Sequence, residues 1–414
     1  MYKISLTDEN RFVEMARLQM DAYPGYNQNA VPEQYAERLE AYSKREDINS
    51  YSVCKDNKLV GGFCIWDFDL NMRQTMIKAS GIGSVAVDIG HKKEKVALEL
   101  MRFYINDLRD RGITMAMLYP FNSAFYKKMG FGFGTTLNQF RIKPDDLPGG
   151  NSKAYIVRLS EADANKMADF YNSQAKRTHG LTLKPNHAFA TTLKTLKNKV
   201  FAYVDNGKIC GYIAFQFQEG SKENGLINDM VVNELLFESP AVFAELMTFV
   251  KSQSDQIRYV IFNTQDEGFG GTVPDPRNHT DRMLAPIFQE VCRTGYGLMY
   301  RICDVPAFFE EIGDCNFGDL NLNLRINVSD SFVLENNSPI LLEFVDGHCS
   351  IAKKASANVV LDIDIAELSS LMMGNVNLTT LVKYGLATVS DSRYLGMLSS
   401  AFAVNERPIC LTYF

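Results

Sequence analysis

The segment 82–134 constrains the fold of this 414-residue chain more than any other part of its sequence. An apolar run predicts a strand over 82–87, a basic loop occupies 91–95, and apolar residues then recur at helical spacing over 96–108. A cationic loop at the start of a helix is suited to anion binding, because free N–H groups and the positive end of the helix dipole point toward it. The sequence therefore predicts an anion site at this junction.

A second strand and a short helix follow this junction. Residues 115–119 predict the strand, and the pattern Asn-x-x-x-Tyr-x-x-x-Gly-Phe that starts at Asn122 predicts a helix ended by a glycine. The segment thus combines two strands, two helices and a cationic loop within about fifty residues.

Composition limits the functions that the chain can have. Hydrophobic residues make up 46% and charged residues 22%, which is typical of a soluble globular protein. The net charge of −6 gives no support for binding nucleic acid or an anionic membrane surface. No apolar run reaches the roughly 18 residues that a membrane-spanning helix needs, and the start shows no secretory apolar region. We therefore expect a cytoplasmic protein with no nucleic-acid partner and no membrane span.

Cysteine and histidine usage argues against a metal cofactor. The eight cysteines are scattered and include no Cys-x-x-Cys, so we expect them to be reduced residues of the core. The five histidines show no metal-ligand spacing. We predict that no metal is bound.

The first two thirds of the chain contain an internal repeat. Strands are predicted over 51–54 and 59–68, joined at Asp56-Asn57, and the part 53–62 of this hairpin matches the run 202–212 with one inserted glycine. A strand over 226–237 and a helix over 241–252 follow the second copy, where Glu238-Ser239-Pro240 replaces the basic loop. Because this replacement is acidic and lacks the cations that an anionic ligand needs, we expect the second copy to be non-catalytic.

The last third of the chain has a different pattern of predicted strands and helices. It predicts antiparallel strands over 320–326, 332–334, 340–345 and 359–363. Short helices are predicted over 365–373, 378–384 and 394–402.

These segments resemble known families. The segment 82–134 resembles the coenzyme A cleft of the GNAT acetyltransferases, and 357–387 resembles the sterol carrier protein fold. The whole chain is similar to the Eis (enhanced intracellular survival) family. The resemblance implies an α+β fold class with domains at 1–145, 151–298 and 299–414. The first is a catalytic GNAT domain and the second a degenerate one, both with mixed central sheets flanked by helices, and the third is a sterol carrier protein-like α/β domain.

The resemblance implies acetyl-CoA as cosubstrate, bound by the first domain. The end of the strand would pair with the pantetheine arm, and the loop and helix start would hold the pyrophosphate. The family signature has a glycine where this chain has Lys95, so the loop departs from the pattern there. The predicted cosubstrate-binding residues are Val85, Ala86, Val87, Lys92, Lys93, Glu94, Lys95, Val96, Ala97, Leu98, Phe121 and Asn122.

The resemblance also implies two catalytic groups. Tyr126 is the predicted acid, because a phenol with a pKa near 10 can protonate a leaving thiolate. The predicted base is the free α-carboxylate of Phe414, the last residue, which would enter the active site of the first domain. The apolar sequence before it favours a buried chain end.

The acceptor side is the least constrained by sequence. The resemblance implies a small cationic amine, an aminoglycoside or related polyamine, and Asp21, Trp66 and Glu406 are candidate contacts, with Asp67 and Asp69 beside them. Two alternatives stay open. The acceptor is a lysine of a protein or peptide, or the protein is a non-catalytic carrier that binds lipid or another ligand in the C-terminal domain. The family implies a homo-oligomer, predicted to be a hexamer.

Overall fold

The structure is a computed structural model that describes residues 2–25 and 31–414. In chain order its strands are β1 Lys3–Leu6, β2 Ile48–Lys55, β3 Lys58–Met72, β4 Thr75–Val87, β5 Met115–Leu118, β6 Gly132–Phe133, β7 Thr136–Ile142, β8 Ile156–Arg158, β9 Lys199–Asp205, β10 Lys208–Glu219, β11 Asn228–Phe237, β12 Ile257–Thr264, β13 Met283–Ala285, β14 Phe288–Gln289, β15 Cys292–Tyr296, β16 Met299–Ile302, β17 Leu322–Ser329, β18 Ile340–Val345, β19 His348–Ile351, β20 Val359–Asp364 and β21 Ala387–Val389. The α-helices are α1 Phe12–Ala22, α2 Pro32–Ser43, α3 Val96–Asp110, α4 Ser123–Lys127, α5 Ala164–Ala175, α6 Asn186–Lys194, α7 Pro240–Lys251, α8 Val305–Glu311, α9 Ile365–Met372, α10 Leu378–Lys383 and α11 Leu395–Phe402.

The chain divides into two compact units. The first unit contains Met1–Gly134, Leu298–Asn405 and Tyr413–Phe414, and the second contains Thr135–Gly297 and Glu406–Thr412. No α-helix of the described ranges is both long and apolar enough to cross a membrane.

The first unit contains a seven-stranded sheet in the order β1-β2-β3-β4-β5-β16-β6. The hairpin between β2 and β3 turns at Asp56 and Asn57, whose φ angles of 50° and 65° are those that a tight hairpin needs, as the sequence predicted. Helix α3 buries an apolar stripe that includes Leu100, Tyr104 and Leu108. Helices α1 and α2 pack with Trp66 in a separate apolar cluster.

The same unit holds a five-stranded sheet in the order β19-β18-β17-β20-β21. Strands β17 and β20 pair in parallel, so the prediction that all strands here are antiparallel is wrong for this pair. The predicted strand at 332–334 is also wrong. The Asp330 carboxylate accepts the N–H groups of Phe332 and Val333, and this side-chain bonding folds the segment into a turn.

A buried ion pair lies within the first unit. Arg301 on β16 and Asp330 are both 0% exposed at their side chains, and a guanidinium N–H donates to the Asp330 carboxylate across 2.5 Å. Arg301 also donates to the Met129 carbonyl, just after α4. The pair therefore fixes the turn that ends α4.

The second unit has a seven-stranded sheet in the order β15-β7-β12-β11-β10-β9-β8. The predicted repeat is confirmed for the β9–β10 hairpin, which turns at Asn206 and Gly207 with φ angles of 49° and 76°. Strand β7 follows β6 of the first unit in the chain, but it pairs with β12 and β15 here. Conversely, β16 follows the second copy in sequence and pairs with β5 and β6 of the first unit.

Candidate active site

Strands β4 and β5 separate at one end of the first sheet. Their parallel pairing runs from Ala79 opposite Met115 to Ile82 opposite Leu118, where it stops, while β4 continues to Val87. The backbone groups of β4 beyond Ile82 therefore face an opening rather than β5.

A β-bulge lies in β4 at this opening. Gly62 pairs with Ala86 and Cys64 with Gly83, so Ser84 and Val85 together stand opposite Phe63 alone. Ser84 adopts a φ of 52°, a conformation that non-glycine residues seldom occupy. Bulges and strained residues of this kind occur next to active sites, where they redirect the chain. The Val85 carbonyl accepts a hydrogen bond of 2.7 Å from the Tyr23 hydroxyl, so this one group is already engaged.

The predicted basic loop leads directly into α3. Lys93 and Lys95 both have a φ of 66°, and Lys95 is the N-cap residue without making a side-chain capping bond. The first N–H groups of a helix have no acceptor within the helix, so those of Val96, Ala97 and Leu98 are available to an anion. Lys95 takes the left-handed conformation that favours glycine, which explains how it replaces the family glycine.

The negative charge of Glu94 is paired within the protein, and its contacts hold the loop in place. Its carboxylate pairs with Lys55 at 2.9 Å and with His91 at 3.2 Å, and its carbonyl accepts the Tyr2 hydroxyl at 2.9 Å. Hydrogen bonding to Lys55 and then to His91 lowers the pKa of the Glu94 carboxyl group. Lys92 and Lys93 are exposed and have no carboxylate partner among the described residues, so their charges remain available.

At the corresponding helix start in the second unit, α7 has fewer free N–H groups for an anion. The Ser239 hydroxyl accepts the N–H of Val242, and Pro240 has no N–H in the first turn of α7. The segment also carries Glu238 in place of the cations of the first copy. The two helix starts therefore differ in capping as well as in charge.

An aromatic pocket of about 450 Å³ lies in the first unit, next to the opening of β4. Residues of α1, α2, β3, β4 and the segment after β5 line it. The lining residues of this pocket are Gln19, Tyr23, Tyr35, Arg38, Tyr42, Trp66, Ile82, Gly83, Ser84, Val85, Tyr119, Phe121, Tyr126 and Phe414. Both predicted catalytic residues are among them.

Phe414 is held in this pocket by aromatic rings and by two glycines. Its ring lies 5.9 Å from the ring of Trp66 and 5.4 Å from that of Tyr119, measured between centroids. A Cβ on Gly81 would lie 2.5 Å from the Phe414 ring, and a Cβ on Gly83 would lie 3.0 Å from its carboxyl carbon. The two glycines of β4 therefore make the space that the last residue occupies.

The residues just before the chain end are tied down within the second unit. The Thr412 and Thr182 hydroxyls are 2.7 Å apart, and Gln265 bonds to both the N–H and the carbonyl of Cys410. The Ile409 N–H donates to the carbonyl of His179. Because residues near a chain end are usually poorly ordered unless they are held, this bonding accounts for the ordered course of 409–412 within the second unit.

Tyr126 lies on α4 and is 4% exposed. Asn122 caps this helix by accepting the N–H of Phe125 at 3.2 Å, so the side-chain oxygen of this predicted cosubstrate contact has a structural role. Burial is the main cause that raises the pKa of the Tyr126 phenol, with the nearby Tyr23 adding to it. The phenol therefore stays protonated at neutral pH and is able to donate a proton.

The structure brings together only some of the predicted acceptor contacts. Trp66 lines the pocket, whereas Asp21 is exposed at the end of α1 and does not line it. Side chains alternate along β3, so Asp67 and Asp69 point away from the Trp66 face and pair with Arg111 at 2.7 Å and Lys78 at 2.6 Å.

Other predicted residues take different places. Glu406 is an exposed residue of the second unit. The side chains of Ala86 and Val96 are buried in apolar clusters, which leaves their backbone groups for a ligand. Phe121 lines the pocket and is 74% exposed.

Sequence reasoning missed Gly81, Gly83, Gln19 and Arg38. A glycine inside a strand often marks a place where a ligand or another backbone approaches closely, so the Gly-Ile-Gly of β4 carried a usable signal. Gln19 and Arg38 gave none, because a single polar residue on a helix is ordinarily taken as part of its solvent-exposed face.

Three family models match the chain. Models described as acetyltransferase (GNAT) domains match residues 3–134 and 180–302, and a sterol carrier protein domain matches residues 305–411. No curated protein is similar enough in sequence to match.

Several solved structures share the fold over the full length of both chains. They include a GCN5-related N-acetyltransferase from Anabaena variabilis, with a TM-score of 0.83 and 17% identity. A probable N-acyltransferase from Enterococcus faecalis has a TM-score of 0.80 and 21% identity. Eis1 from Mycobacterium abscessus has a TM-score of 0.78 and 16% identity.

The two GNAT matches together span more than half of the chain, and the chain belongs to the GNAT acetyltransferases, enzymes that transfer an acetyl group. It adds a sterol carrier protein domain, and its three-domain fold is shared end to end with Eis1 from Mycobacterium abscessus. The predicted resemblance and the predicted α+β fold class are thereby confirmed.

Proposed function

We propose that this enzyme is an acetyl-CoA-dependent N-acetyltransferase whose first GNAT domain carries the reaction. The observation that carries the proposal is the position of Phe414, whose free carboxyl group lies in the same pocket as Tyr126 and the open edge of β4. A chain end enclosed by aromatic rings and by two glycines has a specific role rather than a default position.

The first part of the mechanism is cosubstrate binding. The N–H groups at the start of α3 and the cations of Lys92 and Lys93 would hold the pyrophosphate. The free backbone edge of β4 beyond Ile82 would accept the pantetheine arm. This arrangement would place the thioester at the pocket, beside Tyr126.

The second part is acetyl transfer. The carboxylate of Phe414 takes a proton from the acceptor ammonium, and the neutral amine nitrogen attacks the acetyl carbon. A C–N bond forms and the C–S bond breaks, the nitrogen passes its second proton to solvent, and the Tyr126 phenol gives its proton to the leaving sulfur. Solvent then restores the proton to Tyr126 and removes the one on Phe414, so the products are an amide, coenzyme A and one proton.

Pocket chemistry supports this division of roles. Within the described lining residues the Phe414 carboxylate is the only anionic group, so it is the group that can attract and deprotonate an ammonium. The buried Tyr126 phenol keeps its proton, as an acid must.

In this proposal the second GNAT domain has a structural role and does not bind acetyl-CoA. Its helix start is capped by Ser239 and loses an N–H at Pro240. Calorimetry should therefore find one acetyl-CoA site per chain. Two equivalent sites, or none, would contradict the assignment of the reaction to the first domain.

The acceptor is an amine. Aminoglycosides and related polyamines stay predicted acceptors because of the family resemblance and the net charge of −6. Thiol release should be measured with these compounds, with monoamines and with a lysine peptide, alongside calorimetry with a fatty acid. Binding of the fatty acid without thiol release from any amine would favour the lipid-carrier alternative.

A further inference from the structure

The charges of the aromatic pocket do not suit a polycation. Of the described residues that line it, only Arg38 carries a side-chain charge at neutral pH, and the Phe414 carboxylate is the one anion. A second ammonium group on an acceptor would find no further carboxylate and would be repelled by Arg38.

Aromatic faces can also bind cations, but several of these faces are already occupied. The guanidinium of Arg38 lies 4.2 Å from the ring centroid of Tyr35 and 5.9 Å from that of Tyr42. The rings of Trp66 and Tyr119 pack against Phe414. These contacts reduce the aromatic surface that could compensate an extra ammonium group.

Within the described ranges, two polar side chains of the pocket have no ion-pair partner and no oxygen or nitrogen hydrogen-bond partner. The Gln19 side chain is 2% exposed, and its oxygen and nitrogen have no oxygen or nitrogen hydrogen-bond partner among the described residues, although the Cys64 thiol lies near enough for a weak interaction. Arg38 forms no ion pair with any described carboxylate. A buried amide without hydrogen bonds is costly and rare, so it points to a ligand that supplies them.

We propose that the preferred acceptor is an amine with an aromatic or apolar body and an anionic oxygen group, recognised by Gln19 and Arg38. The Gln19 amide N–H and the Arg38 guanidinium both donate to anionic oxygen, while the Phe414 carboxylate receives the ammonium at the other end. This inference rests on the proposed acetyl transfer to an amine, and within the amines it ranks anionic aromatic compounds above the polycations that the family resemblance implies.

The test compares matched acceptors in the full-length enzyme. Three acceptors carry a carboxylate beside the amine: phenylalanine, 4-(aminomethyl)benzoate and 4-(2-aminoethyl)benzoate. Their counterparts, benzylamine and 2-phenylethylamine, have no charged group other than the amine. Spermidine and kanamycin represent polycations. At least one anionic compound should exceed its neutral counterpart in kcat/KM by about threefold to tenfold, since one exposed charge pair and one hydrogen bond are gained. It should also exceed both polycations.

Three variants connect the preference to the pocket. Arg38→Gln and Gln19→Met should each reduce the preference for the anionic compounds and leave the KM for acetyl-CoA unchanged. Arg17→Gln, an exposed arginine of α1 outside the pocket, is the matched control and should keep the preference. Gln19→Met should leave the unfolding temperature unchanged or raise it, because it removes a buried amide without partners. A residue with a merely structural role would instead lower stability.

The outcomes separate the two proposals. If no amine is acetylated, the proposed function fails and the acceptor class fails with it. If amines are acetylated but no anionic compound is preferred, or spermidine or kanamycin is the best acceptor, only the acceptor class is overturned. Persistence of the preference in both Arg38→Gln and Gln19→Met would also overturn it.

Discussion

Gly83 of β4 leaves open the space that the carboxyl group of Phe414 occupies. A Cβ on Gly83 would lie 2.9 Å from an oxygen of that group and 3.0 Å from its carbon. Atoms this close cannot coexist without a shift, so the absence of a side chain at Gly83 is a requirement for the position of the carboxylate.

Gly83→Ala should therefore displace the carboxylate and lower kcat. We expect a loss of about 10²-fold or more, the usual contribution of a positioned base. Acetyl-CoA affinity should stay within about threefold of wild type, because one misplaced terminus leaves the phosphate contacts intact. Gly396→Ala on α11, where an added Cβ meets nothing within 4 Å, is the control. Unchanged turnover in Gly83→Ala would exclude this role of the glycine.

Tyr126→Phe removes only the phenolic hydroxyl of the proposed acid. We expect kcat to fall by about 10²–10⁴-fold with little change in acetyl-CoA binding. Because burial raises the pKa of Tyr126 above its usual value near 10, wild-type kcat should show no decline from its ionisation below about pH 10. Tyr384→Phe, at a tyrosine that is 69% exposed, should be neutral. A declining wild-type limb between pH 7 and 9 would contradict the assignment.

The parts of the active site that could be predicted from sequence are those whose residues lie close together in the chain. Strand β4, the basic loop and α3 follow one another in the chain, so periodicity and charge located them. Helix α2 was missed because its sequence is mostly polar and buries only Ala36 and Leu39. The exchange of β7 and β16 between sheets was not predictable, since the pairing partner of a short strand is set by distant residues.

The position of Phe414 could be predicted only in part, because its contacts are with residues distant in the sequence. The apolar tail predicted an ordered terminus, and the family resemblance named its role, but no sequence pattern links Gly81 and Gly83 to a residue more than 300 positions away. Likewise, the missing partners of Gln19 become visible only once α1 is placed against the pocket.

The basic loop can be tested by charge reversal. Lys92→Glu with Lys93→Glu should weaken acetyl-CoA binding at least about tenfold, because a charge-assisted hydrogen bond is typically worth about 1.5–3 kcal/mol. High salt should narrow the difference. The matched control is Lys353→Glu with Lys354→Glu, an exposed lysine pair elsewhere. Equal affinities of the two double variants in calorimetry would remove the loop from the binding site.

The buried pair of Arg301 and Asp330 should be important for stability. Asp330→Asn leaves the Arg301 charge buried without its partner, and breaking such a pair costs about 3–5 kcal/mol. The midpoint of thermal or denaturant unfolding should fall accordingly. Asp69→Asn breaks the exposed pair with Lys78 and should change the free energy of unfolding by at most about 1 kcal/mol. Similar midpoints for the two variants would show that the buried pair is not stabilising in this way.

The most direct test of the central claim changes the charge of the chain end and nothing else. A semisynthetic enzyme that ends in a Phe414 carboxamide keeps the ring contacts with Trp66 and Tyr119 but cannot accept the proton. Its matched control is the same ligation product with a free carboxylate. Steady-state thiol release should fall by about 10²-fold or more in the amide, with acetyl-CoA affinity and unfolding temperature unchanged. Equal kcat in the amide and the carboxylate would show that Phe414 is not the base.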